Sequence, residues 1–348
     1  MVKRAAFAVP GDLDTPTGGY AYDKRIIAEL ERIGWQIELV DLGEGFPFPG
    51  EAVRSNARAR LLGAPDGCPI VVDGLALGAL PEIASELVNP LLALVHHPLA
   101  LEWGLSTEQA ESLRQSERLA LACARGVVVT SRATAGIVAR DYGVPIERIT
   151  VARPGSDPVP PARGGSGGAP HLLSVGAIVP RKGFDLLIAA LTGLTDLQWR
   201  LTIAGDLTRA PVTAERLRAD IVRLGLSGRV AMPGAVSPER LAALYDSADL
   251  FVLASRFEGY GMAYAEALAH GLPVIGTRAG AIPDTIPREA GLLVDTGDVA
   301  ALADALRRVL IDPALRRRLS EAALTAARQL PSWPQSARIF AGALDALT

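Results

Sequence analysis

The segment LYDSADLFVLASRFEGYGMAYAEALAHGLPVIGT, residues 244–277, governs how the rest of the chain is read. LFVLAS is a short apolar run that predicts a buried strand, and LPVIGT at the far end predicts another. Between them SRFEGYG reads as a glycine turn, followed by an alanine-rich helix from near Met262 to a C-cap at Gly271. Strand, turn, helix and strand at these lengths make the βαβ unit of a parallel sheet. Glu258 then sits in a turn beyond the carboxyl end of a strand, where ligands bind in open α/β sheets, and Glu266 lies inside the helix. Gly259 and Gly261 let backbone approach a ligand, and the free N–H groups and dipole of the helix N-terminus favour an anion such as phosphate. Glu266 can accept two hydroxyls, as from a ribose, and Glu258 would face whatever lies beyond the phosphate. Taken alone, the pair fits a capping acid and a satisfied polar residue equally well.

The same alternation runs outward in both directions. In the first half RAAFAV, QIELVDL, PIVVDG, LLALVHH, GVVVTS and ITVARPG read as strands, and in the second HLLSVGA, WRLTIAGD, RVAMPG and GLLVDT join the two above. Amphipathic stretches such as YDKRIIAELERIG fall between them. Between the halves PGSDPVPPARGGSGGAP, residues 154–170, is too rich in proline, glycine and serine for a helix or central strand. The expectation is α/β: a Rossmann-like domain over 1–156, a linker over 157–169, a second Rossmann-like domain over 170–328, and a helix over 329–348 that packs back on the first domain.

Composition limits the function. The chain has 348 residues, enough for two cores, and a formal net charge of −3 with no basic block, which argues against nucleic acid as a partner. Cys68 and Cys123 lie far apart in apolar surroundings and read as two buried thiols rather than a disulfide or zinc site. The start, MVKRAAFAVPGD, reads as a first strand. The most apolar stretch, LVNPLLALVHHPLALEWGL, is broken by prolines and histidines, so a soluble cytoplasmic protein is expected, with peripheral contact at the inner face of a membrane left open. DLD at 12–14 reads as loop polarity, and the arginine-rich ALRRVLIDPALRRRL as a solvated helix face. No phosphate-loop lysine motif occurs, and G-x-S-x-G is spelled only within the glycine-rich linker, as GGSGG at 164–168.

Further candidates stand at strand ends. In SVGAIVPRKGFDLLIAAL a strand ends in a glycine turn and Arg181 and Lys182 precede a helix, so two cations could clamp a diphosphate. TPTGGYAYD, residues 15–23, puts a Gly18–Gly19 turn before a helix, and LVHHPLALEWG presents His96 and His97 at the end of a strand.

Together, RKG after VGAIVP, AGD at 204–206, MPGAV and the 244–277 segment resemble the nucleotide-sugar lobe of the retaining glycosyltransferases of family 4. Glu258 and Glu266 match that family's E-x7-E signature. The resemblance implies the GT-B architecture, two Rossmann-like doubly wound lobes facing across a cleft, and a retaining hexosyltransferase-type activity on a nucleoside diphosphate sugar. It implies that Gly18, Gly19 and Tyr20 belong to a loop closing over the donor, that His96 hydrogen-bonds the transferred sugar, and that the turn at 234–236, ending in Val236, reads the nucleobase. Arg181, Lys182, Gly259, Tyr260, Gly261 and Met262 would hold the diphosphate, Glu266 the ribose, and Glu258 would orient the sugar. No bound metal or other cofactor is implied, and the acceptor would be a carbohydrate or lipid-linked acceptor. The family's usual arginine after the first glycine of the second lobe is Ala177 here, so Arg181 would supply that charge from a shifted position. A GT-B nucleotide-sugar epimerase and an inactive nucleotide-sugar-binding partner remain open, and neither base, sugar, acceptor nor oligomeric state is set by the sequence.

Overall fold

The uninterrupted apolar runs become strands covered on both faces, as parallel strands must be when helices flank the sheet. A computed structural model describes residues 3–165 and 167–347; Met1, Val2, Thr348 and Ser166, which falls within the expected linker, lie outside the described residues. Among the described residues two six-stranded parallel sheets form. The first contains β1 (Lys3–Val9), β2 (Trp35–Asp41), β3 (Ile70–Asp73), β4 (Leu91–Val95), β5 (Gly126–Val129) and β6 (Ile149–Val151), in the order β2-β1-β3-β4-β5-β6. The second contains β7 (His171–Val175), β8 (Arg200–Ala204), β9 (Val230–Gly234), β10 (Leu250–Val252), β11 (Val274–Thr277) and β12 (Gly291–Val294), in the order β12-β11-β10-β7-β8-β9.

Each order reverses once. The chain leaves β1 for β2 on one side and returns to β3 on the other; likewise it leaves β7 toward β8 and β9, then returns to β10. At such a switch point the connections depart in opposite directions and open a crevice at the strands' carboxyl ends. Each sheet therefore has one place where loops from neighbouring strands converge without a helix between them.

The chain divides into two compact units, Met1–Gly155 with Pro331–Thr348, and Ser156–Leu330. The first unit is completed by the Trp333–Asp345 helix, which lies against the Gly18–Arg32 helix. Phe340 is fully buried and its ring stacks on Phe7 of β1 at 6.1 Å. The Ser336 hydroxyl donates to the Arg153 carbonyl at 2.6 Å. In the second unit the glycine-rich stretch is held down at two points: the Ala162 N–H donates to the His270 carbonyl at 2.8 Å and the Gly165 N–H to Asp249 Oδ1 at 3.0 Å. Backbone with little side chain of its own can approach these acceptors closely.

One expectation is corrected. Cys123 is exposed and Cys68 half-buried, both as free thiols, because Cys123 ends the Thr107–Cys123 helix on its solvent side. No helix among the described residues is long and apolar enough to cross a membrane.

Phe340→Ala should remove about 3–5 kcal/mol of unfolding free energy by emptying a fully packed site. Urea unfolding of the full chain reads this directly, and a loss below about 1 kcal/mol would contradict the packing of the terminal helix.

Candidate functional site

In the second unit the switch point brings two loops side by side. Gly176–Lys182 follows β7, ending in the short turn Pro180–Lys182, and Leu253–Gly261 follows β10. They are stapled together. The Arg256 N–H donates to the Arg181 carbonyl at 2.7 Å, and the Arg256 guanidinium reaches the Pro180 carbonyl at 2.6 Å and both Asp185 carboxylate oxygens at 2.9 and 2.6 Å.

That staple sets two cations against one carboxylate. Lys182 Nζ donates to Glu258 Oε1 at 2.7 Å, and the Ser255 hydroxyl donates to the same oxygen at 2.6 Å. Arg181 Nη1 donates to the Phe257 carbonyl at 2.8 Å and lies 3.3 Å from Glu258 Oε2. Glu258 is 5% exposed, so the cluster is largely out of water. Burial alone would raise its pKa, but Lys182 and then Arg181 outweigh that and hold it down at about 2. The carboxylate is thus ionised at neutral pH, and the balance of these three side chains stays positive. Glycine at 280 is a requirement of the same place. Its φ is +55°, and a Cβ there would come 2.2 Å from the Glu258 carbonyl oxygen, which already accepts the Ala281 N–H at 2.9 Å.

The Met262–Ala269 helix starts at Gly261 with no side-chain cap, which makes its N-terminus an anion-favouring one. One turn in, Glu266 accepts a hydrogen bond from the Tyr245 hydroxyl at 2.8 Å, and Tyr245 is itself stacked flat on His270 at 4.9 Å. Burial raises Glu266 above its ordinary pKa against that hydrogen bond. Val236, just past β9, packs half-buried on the core, and no described hydrogen bond ties it to the Glu258 cluster.

In the first unit Gly18, Gly19 and Tyr20 form the opening turn of the Gly18–Arg32 helix rather than a loop before it, because Thr17 caps that turn by accepting the Tyr20 N–H at 3.1 Å. A Cβ on Gly19 would meet His96 Cδ2 at 3.3 Å, so the glycine brings helix and imidazole together. His96 follows β4, and its Nε2 lies 3.0 Å from Asp23 Oδ1 and 3.5 Å from Asp73 Oδ2. Tyr22 meets the ring edge-on at 5.3 Å. His97 turns elsewhere, to Glu102 at 3.2 Å. Asp23, Asp73 and His96 are also the one group among the described residues whose ligand atoms, within 4.8 Å of one another, could hold a metal ion.

Asp23, Asp73, Ser255 and Tyr245 were missed by reasoning from sequence. Asp73 carried a signal, a carboxylate closing the buried run IVVD of β3. Asp23 carried another, one turn after Gly19 in the helix that follows β1. Ser255 and Tyr245 act through partners that spacing alone does not reveal.

Two parallel sheets of this kind are the GT-B fold. Sucrose-phosphate synthase from Thermosynechococcus elongatus superposes with a TM-score of 0.84 at 22% identity, covering 99% of each chain. Anabaena HepE in complex with UDP gives 0.78 at 19% identity, over 98% of this chain and all of that one. The model of the family described as "Glycosyl transferases group 1" matches residues 161–325. An MMP alpha-(1->4)-mannosyltransferase of Mycolicibacterium hassiacum is 30% identical over 312 residues, 83% of this chain and 73% of that protein. A D-inositol 3-phosphate glycosyltransferase of Xylanimonas cellulosilytica is 32% identical over 238 residues, 64% of this chain, but the match spans only 57% of that protein's length. The chain belongs to the group 1 glycosyl transferases.

Glu258→Gln should destabilise the protein by about 3–5 kcal/mol at neutral pH, because two largely buried cations lose their counter-charge. Since the folded pKa lies below the ordinary 4.5, that stabilisation is complete above 4.5 and is lost as pH falls toward about 2. Urea unfolding of both proteins should show the gap narrowing with acidification; a gap that stays constant from pH 7 to pH 3 would contradict the ion cluster.

Proposed function

We propose that the protein moves a sugar from a nucleoside diphosphate sugar to a hydroxyl of a carbohydrate or lipid-linked acceptor, with retention at the anomeric carbon. The observation that carries this reading is the cluster at the second switch point: two cations, one shared carboxylate and an uncapped helix N-terminus gathered at one strand end.

The chemical task is departure of a diphosphate from an oxocarbenium-like centre. Groups fixed in a water-poor site stabilise the developing charge without having to reorganise, which is where most of the rate comes from. Lys182, Arg181 and the first N–H groups of the Met262–Ala269 helix take that role. Because the donor's phosphates compete with Glu258 for the same two cations, Glu258 is released in part to meet the transferred sugar. Glu266, oriented by Tyr245, takes the ribose hydroxyls, and the backbone beside Val236 takes the base. In the first unit His96 is the group assigned to a sugar hydroxyl, with Gly18, Gly19 and Tyr20 beside it. A front-side reaction needs no enzymic nucleophile. Nor does the diphosphate need a divalent cation, since protein cations and a helix dipole already oppose its charge. HepE binds UDP and, in another structure, UDP with glucose, which makes uridine donors the first to try. A cytoplasmic location, with peripheral membrane contact where the acceptor is lipid-linked, follows from the donor.

A screen of UDP-, GDP- and ADP-sugars should find one nucleotide class that raises the melting temperature and is slowly hydrolysed, with nucleoside diphosphate release unaffected by EDTA. Glu266→Ala should abolish the shift, and Lys182→Ala should slow release by about a hundredfold or more. If no nucleotide binds, the assignment fails; if release stops in EDTA, metal independence fails.

A further inference from the structure

The histidine assigned to the sugar is held by groups for which that assignment gives no reason. Asp23 is fully buried and hydrogen-bonded through Oδ1 to His96 Nε2 at 3.0 Å, and its Oδ2 has no hydrogen-bond partner. Asp73, 2% exposed, is fixed from the other side. Its Oδ1 accepts the Leu75 N–H at 2.6 Å, leaving Oδ2 for the imidazole at 3.5 Å. Three adjacent strands of the first sheet deliver the trio to its switch point: Asp23 from the helix after β1, Asp73 from the end of β3 and His96 from the end of β4. Two buried carboxylates converging on one ring nitrogen need a proton among the three groups, and on Nε2 that proton meets both acceptors at once.

We propose that Asp23 is a positioning residue: with Asp73 it keeps His96 doubly protonated, so that Nε2–H is spent on the carboxylates and Nδ1–H is a permanent donor to the ligand oxygen. A neutral histidine with its proton on Nε2 would offer Nδ1 as an acceptor, and its contact with a hydroxyl would reverse in sense. This deepens the glycosyltransferase reading and rests on it only for the identity of the ligand.

The groups facing the ring agree. Asp23 and Tyr22 come from the Gly18–Arg32 helix, Asp73 from β3, and Thr130 at the end of β5 donates its hydroxyl to the His96 carbonyl at 3.2 Å. His97 beside it is engaged with Glu102, and Arg25, on the same helix as Asp23, lies over the Trp333 ring at 5.0 Å. Burial by itself would lower the imidazole's pKa; Asp23 first and Asp73 second reverse that and raise it from 6.5 to about 10. Burial raises Asp23 to about 7 against the pull of His96, so a second proton joins the group only below that; above it the remaining proton stays on the ring, which faces both carboxylates. With the folded value raised, the proton is present throughout neutral pH and leaves only as pH rises toward about 10.

The test is the imidazole titration of His96 by NMR on the ligand-free full chain, for wild type, Asp23→Asn and Asp73→Asn, alongside the pH profile of nucleoside diphosphate release. Wild-type His96 should stay protonated across about pH 6 to 9, and Asp23→Asn should bring its titration into that window, with Asp73→Asn shifting it less. Release by Asp23→Asn should then fall as pH rises through that range while wild type does not. Asn at 73 keeps the oxygen that accepts the Leu75 N–H, so this variant decides the matter if Asp23→Asn does not fold. Wild-type titration near 6.5, or carboxylate variants that leave it unmoved, would overturn the proposal. So would one-to-one zinc binding that displaces the ring proton and is lost in Asp23→Asn, since the trio would then be a metal site. The titration needs no substrate, so a failed donor screen leaves it readable and marks the failure as one of the functional reading alone.

Discussion

A single carboxylate, Glu258, organises the second unit's site. It is buried, it accepts from Lys182 and Ser255 on one oxygen and faces Arg181 with the other, and its backbone carbonyl anchors the turn at Gly280 and Ala281. A buried charge of this kind is tolerable only when its partners are in place. The partners come from the loop after β7 and the acid from the loop after β10, and those strands are neighbours only because the sheet order reverses between them. Topology, ion pairing and the anion-favouring helix start are thus consequences of one arrangement. Without the reversal the cations and the carboxylate would be separated by a strand; without the carboxylate the cations would repel.

The first unit uses the same geometry with the charges exchanged. At its switch point two carboxylates surround one imidazole, where the second unit sets two cations around one carboxylate. In each case a minority charge is fixed by a pair of opposite sign: a carboxylate between two cations at one switch point, an imidazole between two carboxylates at the other. Fixed, largely buried charge at strand ends is what both sites share.

Much of this was legible in the residues, for identifiable reasons. Parallel strands buried on both faces write themselves as apolar runs, so IVVD, LLALV and GVVV could be read as strands from hydrophobicity alone. Glu258 could be placed in a turn and Glu266 inside the helix after it because a glycine turn and a helix start obey local rules. Contacts between strands distant in sequence were not legible. Nothing in RKG says that both cations meet Glu258, 76 and 77 positions away, nor in YAYD that Asp23 meets His96, 73 positions away. Pairings of this sort depend on strand order, which local patterns do not encode. Gly18 and Gly19 misled for a different reason. Glycines before a helix suggest a loop, but a threonine cap and the close approach of His96 make them the helix's first turn.

The central claim is that the Lys182–Arg181–Glu258 cluster is built for a diphosphate. Calorimetric titration of uridine, guanosine and adenosine diphosphates, each against its monophosphate, into wild type and Lys182→Met tests it most directly. A charge-assisted contact to the second phosphate is worth about 1.5–3 kcal/mol, so the preferred diphosphate should bind wild type at least about tenfold more tightly than its monophosphate. That preference should collapse in the variant while monophosphate affinity changes little. Equal affinity of wild type for the mono- and diphosphate, or a preference that survives loss of the Lys182 charge, would contradict the account.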